Sequence, residues 1–75
     1  MQPRACRVLL GSPAVGRSIG ELRLRSAMGA TVVGVRHDGH HVTNPGPDYR
    51  FAAGDEVTLV GTPDQQAAVR RLFEA

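Results

Sequence analysis

The hydrophobic positions fall into blocks that predict four strands. Residues 5–10 form a short apolar run, and residues 30–36 are nearly all apolar and rich in β-branched side chains, as in a strand covered on both faces. A short strand over residues 40–43 and an alternating strand over residues 57–61 follow. A helix is predicted between the first two strands and another after the last, which gives the order β-α-β-β-β-α.

Two capping boxes mark where the helices begin. Ser18 is followed three residues later by Glu21, and Thr62 is followed in the same way by Gln65. The first helix is predicted over residues 19–28, where a glycine suited to the C′ position follows. The second helix begins with a proline at its first position. Its apolar stripe consists of Val69, Leu72 and Phe73.

The length of 75 residues allows one α+β domain, residues 1–75 with a core of about residues 5–74. A domain of this size buries a modest share of its surface and needs a disulfide, a bound metal or a partner for stability. Cys6 is the only cysteine, so no disulfide forms within the chain. We therefore expect self-association or a place inside a larger protein. The lone cysteine fits a reducing compartment, and no long apolar run or signal-peptide pattern is present, so a cytoplasmic location is expected.

The charge of the chain is dispersed. Nine arginines stand against seven acidic residues, lysine is absent, and the formal net charge is +2. A nucleic-acid-binding domain clusters its basic residues on one face. Here only Arg17, Arg23 and Arg25 fall close together, so no nucleic-acid partner is expected.

The stretch GSPAVGRS, residues 11–18, comes within one residue of a P-loop pattern. Arg17 takes the place of the P-loop lysine, and Pro13 removes one of the amides that would cradle a phosphate. The stretch is therefore interpreted as a turn that leads into a capped helix. Cys6 has no histidine near it in sequence, and no serine or carboxylate pair stands in a catalytic arrangement. The chain is not expected to be an enzyme, and no catalytic residue is assigned.

A hairpin at Asp38-Gly39 brings three histidines together. His40 and His41 are neighbours in a strand and point to opposite faces of it. His37 and His40 pair across the hairpin, so at most two imidazoles share one side. Two histidines fall short of the usual zinc ligand set, and the expectation is a solvated hairpin tip with no metal. A metal site at His37 and His40 is the minor alternative.

Arg23 and Arg25 lie in the predicted first helix. Two positions apart on a helix, they point about 200° apart, so they are not expected to face one ligand together. Arg25 comes three residues after Leu22, near the predicted buried side. An arginine placed there either has a fixed carboxylate or phosphate partner or lays its stem over the core.

In this order the motifs resemble the RCK C-terminal domain, also called TrkA-C. The resemblance covers about residues 8–73 and is strongest to the domain in regulatory subunits of bacterial cation:proton antiporters. The segments that carry it are Gly16-Arg17-Ser18, Glu21-Leu22-Arg23-Leu24-Arg25, Gly29-Ala30-Thr31-Val32-Val33, Pro45-Gly46-Pro47-Asp48 and Gly54-Asp55-Glu56-Val57-Thr58-Leu59-Val60-Gly61.

The resemblance implies a regulatory module of potassium channels, potassium uptake systems or cation:proton antiporters, peripheral to the membrane transporter. Such domains pair as homodimers, and several bind cyclic di-AMP in the dimer cleft; no other cofactor is implied. Arg25 would contact the phosphates and Pro47 would pack on a base. The remaining implied ligand-binding residues are Thr31, Val32, Ile19 and Leu22.

A symmetric dimer suits a cyclic dinucleotide, because each subunit supplies one Arg25 to one of the two phosphates. The planar, bidentate arginine fork fits that contact better than lysine does. The alternative is a ligand-free dimerisation module of a larger transporter subunit or a transcription regulator. Such a module would keep the apolar dimer face and would not need Arg25.

Overall fold

The structure is a computed structural model that describes residues 3–74. Its element order is β-α-β-β-β-α, which confirms the predicted α+β fold. The elements are β1 (Arg4–Arg7), α1 (Ile19–Leu22), β2 (Thr31–His37), β3 (His40–Thr43), β4 (Glu56–Val60) and α2 (Pro63–Phe73). Across the described residues, neither helix is long and apolar enough to cross a membrane.

The four strands form one antiparallel sheet in the order β1-β4-β2-β3. The last strand in the chain, β4, is inserted between β1 and β2, with Val57 opposite Cys6 on one side and Val35 on the other. Both neighbours run antiparallel to β4, so β1 and β2 are parallel to each other without pairing. Side chains of β4 alternate between buried and half-buried, as the period-two pattern predicts.

Two aromatic rings at the centre of the core hold the loop after β3 against the last helix. Phe51 and Phe73 are fully buried, with ring centroids 5.0 Å apart. Tyr49 packs edge-on against Phe51 at 5.7 Å. The apolar stripe of α2 is confirmed, with Val69 and Phe73 inaccessible to solvent.

The first helix is much shorter than the predicted range of 19–28, because it ends at Leu22. Arg23 adopts the left-handed conformation (φ 51°), which stops the helix. The chain then forms a turn over residues 23–28, which sends Leu24 into the core, where it is 1% exposed. The near-helical spacing of the apolar residues led to the longer prediction. Leu22 and Met28 both pack against the core, but Leu22 does so from the helix and Met28 from the turn that follows it.

The first strand is also shorter than predicted, ending at Arg7 rather than at residue 10. Val8 and Leu9 direct their N–H groups to the carbonyls of Asp55 and Phe73, which lie outside the sheet. Leu10 is 88% exposed. The other strands agree with the sequence to within one residue, and both capping boxes are confirmed.

Tyr49 donates a hydrogen bond of 2.8 Å to the buried carboxylate of Asp55, which also accepts the Ala52 N–H at 2.9 Å. Burial and the adjacent carboxylate raise the pKa of Tyr49 to about 12. The tyrosine must lose its proton against both effects. The hydrogen bond from protonated Tyr49 therefore contributes its full stabilising free energy below the ordinary tyrosine pKa of about 10, and this contribution is lost as pH rises through about 12.

Titration of Tyr49 tests this contact directly, because it is the only tyrosine and the chain has no tryptophan. We expect its ultraviolet absorbance to change with a midpoint near pH 12. Asp55→Asn should move the midpoint toward the ordinary value, because the negative charge is removed. A wild-type midpoint at pH 10, in a protein that circular dichroism shows to be folded, would contradict the contact.

Candidate functional site

A pocket of about 390 Å³ opens on one side of the domain. Its walls are α1, the turn after it, the first residues of β2 and the proline-containing loop after β3. The lining residues are Ile19, Gly20, Arg23, Leu24, Arg25, Ser26, Ala30, Thr31, Val32, Pro45 and Pro47. Apart from the two arginines, Ser26 and Thr31, this is an apolar surface.

Five of the six residues named from the sequence as ligand-binding line this pocket: Ile19, Arg25, Thr31, Val32 and Pro47. They come from segments up to 28 positions apart (47 minus 19), so the fold brings them together. Leu22, the sixth, does not line the pocket; it is half-buried and packs against the core. The difference follows from the short helix, which turns Leu22 inward just before the chain reverses.

Backbone hydrogen bonds hold α1 against the proline loop. Ile19 donates to the Tyr49 carbonyl at 3.0 Å, and Gly20 donates to the Pro47 carbonyl at 2.9 Å. A Cβ atom added to Gly20 would lie 3.3 Å from both Pro47 Cβ and Pro47 O, closer than side chains normally pack. Glycine therefore permits this approach, which fixes Pro47 at the pocket wall.

Arg23 and Arg25 stand on either side of the buried Leu24, and both line the pocket. The expectation that they point apart is wrong, because neither lies in the helix. Arg25 itself is exposed at the pocket wall, next to the buried Leu24. The alternating Leu-Arg-Leu-Arg sequence at 22–25 departs from a helical pattern, since a period of two is typical of an extended backbone, but it does not by itself set where the helix ends.

Neither pocket arginine has an acidic partner among residues 3–74, where ion pairs join Arg36 to Glu56 and Arg50 to Glu21. The carboxylate of Glu21 is already committed, because it accepts the Ser18 N–H at 2.9 Å as well as the Arg50 contact. The hydrogen bonds from Ser18, and then the Arg50 charge, lower the pKa of Glu21. Within the described residues, no carboxylate therefore neutralises the positive charge of the two pocket arginines.

The stretch 11–18 is a turn with no free cradle of amides. Gly16 donates to the Phe51 carbonyl at 2.8 Å, Arg17 to the Ala14 carbonyl at 3.0 Å, and Ser18 to Glu21. The buried Ser12 hydroxyl accepts the Ala14 N–H and donates to the Leu72 carbonyl. These bonds occupy the groups that a P-loop would direct at a phosphate, in agreement with the sequence interpretation.

The hairpin histidines are placed as expected, with His37 opposite His40 across a turn in which Asp38 and Gly39 both have positive φ. His37 Nδ1 lies 2.5 Å from the buried Asp55 Oδ1, and neither atom has a partner in hydrogen-bond geometry. No group of three or more metal-binding side chains occurs in the part of the chain that the structure describes.

Cys6 is buried, and burial raises the pKa of its thiol.

The model of the TrkA-C domain family matches residues 5–74. The chain belongs to the TrkA-C family. This family is one of regulatory domains, which agrees with the absence of a catalytic assignment.

The most informative relative among solved structures is the RCK_C domain dimer of Streptococcus agalactiae BusR, solved with c-di-AMP. The two are 34% identical, with a TM-score of 0.89 over 99% of this chain and 97% of that one. BusR bound to its busAB-promoter DNA is 35% identical with a TM-score of 0.87, and this chain covers 96% of its own length but 35% of that chain. The KtrA RCK C domain with c-di-AMP, at 16% identity and a TM-score of 0.84, supports the fold alone.

A transporter described as uncharacterized, RB4869 of Rhodopirellula baltica, is 44% identical to this chain over 64 residues. The match covers 83% of this chain but spans only 12% of that protein's length. Sequences similar to this chain thus occur in a protein named as a transporter and in a protein solved with promoter DNA. The expectation of no nucleic-acid partner is therefore contradicted in part, because a 35% identical relative was solved with promoter DNA.

Proposed function

We propose that this chain is a regulatory domain that binds cyclic di-AMP in a cleft between two copies and thereby controls cation transport. The observation that supports this best is the pocket itself, in which Arg25, without an acidic partner among residues 3–74, lies beside apolar walls that include Pro47. The relative at 34% identity was solved as a dimer with c-di-AMP. No catalytic step is part of this function.

The chemistry of the pocket suits half of a cyclic dinucleotide. Adenine needs flat apolar contact, which Ile19, Val32 and Pro47 offer. A phosphodiester needs a charged donor, and arginine provides two parallel N–H groups for it. A two-fold axis passing beside the pocket would place two such half-sites around one two-fold symmetric ligand.

The controlled protein in this proposal is a membrane cation transporter, such as a cation:proton antiporter or a potassium channel or uptake subunit, with this domain on the cytoplasmic side. The 44% identity to a part of a transporter supports this choice. The alternative is a dimerisation module that binds no ligand, within a transporter subunit or a transcription regulator. The BusR structure with promoter DNA supports the regulator form of that alternative.

Thermal unfolding with and without nucleotide tests the proposal. A ligand that binds only the folded dimer stabilises it by about 2.7 kcal/mol when its free concentration is 100 times the dissociation constant. For a dimer of two such chains, that amount shifts the melting temperature by roughly 5–10 °C. We expect this shift with cyclic di-AMP and not with ATP; equal small shifts with both, from a folded dimer, would favour the ligand-free module.

A further inference from the structure

We propose that Arg23 is a second phosphate-binding residue of the pocket, so that each subunit holds the ligand with an arginine pair rather than with Arg25 alone. This inference rests on the proposed function and concerns the same site. It assigns the anionic part of the ligand to both side chains that flank Leu24.

The backbone of Arg23 gives the first argument. Three residues other than glycine have positive φ among residues 3–74: Arg23, Asp38 and Asn44. Aspartate and asparagine tolerate the left-handed conformation through local hydrogen bonds, whereas arginine has no such advantage. Glycine would end the helix at this position with less strain. The conformational preference of this turn alone therefore does not account for an arginine at this position.

Charge gives the second argument. Arg23 and Arg25 line one pocket, and within the described residues no carboxylate lies at ion-pair distance from either. Two like charges that line one pocket repel each other, and an anion between them removes that repulsion. A dimer would bring four arginines to two phosphates, so each phosphate would receive one guanidinium pair.

The turn orders the backbone from which the two side chains extend. The Arg23 carbonyl accepts the Ala27 N–H at 2.8 Å, and the Arg25 carbonyl accepts the Gly29 N–H at 3.1 Å. Leu24, which lies between the two arginines, is anchored in the core and 1% exposed. The two guanidinium groups therefore project from a backbone that is already ordered before the ligand arrives, which reduces the entropy lost on binding.

The test is binding of cyclic di-AMP to Arg23→Gly and Arg23→Lys, with Arg71→Ala as a control. Glycine removes the charge and suits the left-handed backbone, so this variant should fold at least as well as the wild type. Arg71 lies on α2 outside the pocket, and its replacement lowers the net charge by the same one unit. We expect Arg23→Gly to bind about 10- to 100-fold more weakly, Arg23→Lys to recover part of this loss, and Arg71→Ala to bind as the wild type does.

Salt dependence separates a phosphate contact from a purely structural role. Because salt screens charge–charge attraction, the difference between wild type and Arg23→Gly should shrink as salt rises. Wild-type affinity in Arg23→Gly at low salt, together with loss of binding in Arg25→Ala, would overturn this inference and leave the proposed function in place. If the wild-type dimer does not bind cyclic di-AMP at all, both are overturned.

Discussion

Arg25→Ala is expected to weaken cyclic di-AMP binding by about 100-fold or more. A hydrogen bond to a charged group contributes about 1.5–3 kcal/mol, and the dimer loses this contact at both phosphates. The side chain is exposed and has no ion-pair partner among residues 3–74, so its removal breaks no ion pair in that part of the fold. Direct titration of the folded variant with cyclic di-AMP measures the loss.

Two further variants define what the Arg25 result means. Arg25→Lys keeps the charge but not the planar fork, and its affinity should lie between those of wild type and Arg25→Ala. Arg71→Ala, which removes an arginine from the far helix, should bind as the wild type does. Unchanged affinity in Arg25→Ala would show that the pocket binds its ligand without this residue and would contradict the assignment.

Phe51→Ala is expected to remove a large fraction of the stability of the domain. Replacing a buried phenylalanine with alanine costs about 3–5 kcal/mol, because apolar contacts are lost and a cavity remains. Phe51 is 2% exposed and its ring contacts both Tyr49 and Phe73. A chain of 75 residues has a total stability on the order of 4–11 kcal/mol, so this single loss is a large fraction of it.

Urea unfolding at a fixed protein concentration measures this cost, since the stability of a dimer depends on concentration. Phe51→Leu is the matched control, because leucine refills much of the volume and should cost clearly less than alanine. The Phe51 backbone also bonds Gly16 and Arg17, and alanine preserves both bonds. A loss below about 1 kcal/mol for Phe51→Ala would mean that this ring is not central to the core.

Most of the fold was predictable from local signals. The capping residues Ser18 and Thr62 fix where the helices begin, and the Asp38-Gly39 turn fixes the hairpin. The length of α1 was not predictable in this way, because the end of that helix depends on Leu24 reaching the core. Burial of one side chain outweighed the strain of a left-handed arginine, and a sequence pattern does not display that balance.

The candidate site was predicted only in part, again because the sequence does not show where α1 ends. The resemblance to the family named Arg25 and Pro47, which the fold places in one pocket. Arg23 was missed because a helical backbone would have turned it away from Arg25. The role of Gly20 was missed as well, because its close approach to Pro47 joins two segments that are distant in sequence.

Calorimetric titration of the wild-type chain with cyclic di-AMP tests the central claim most directly, because it measures affinity and stoichiometry together. A dimer-cleft sensor predicts saturable heat with one ligand bound per two chains, and none with ATP. One ligand per chain would contradict the shared cleft. No heat from a well-folded dimer would contradict cyclic di-AMP as the ligand and leave the dimerisation module as the function of this domain.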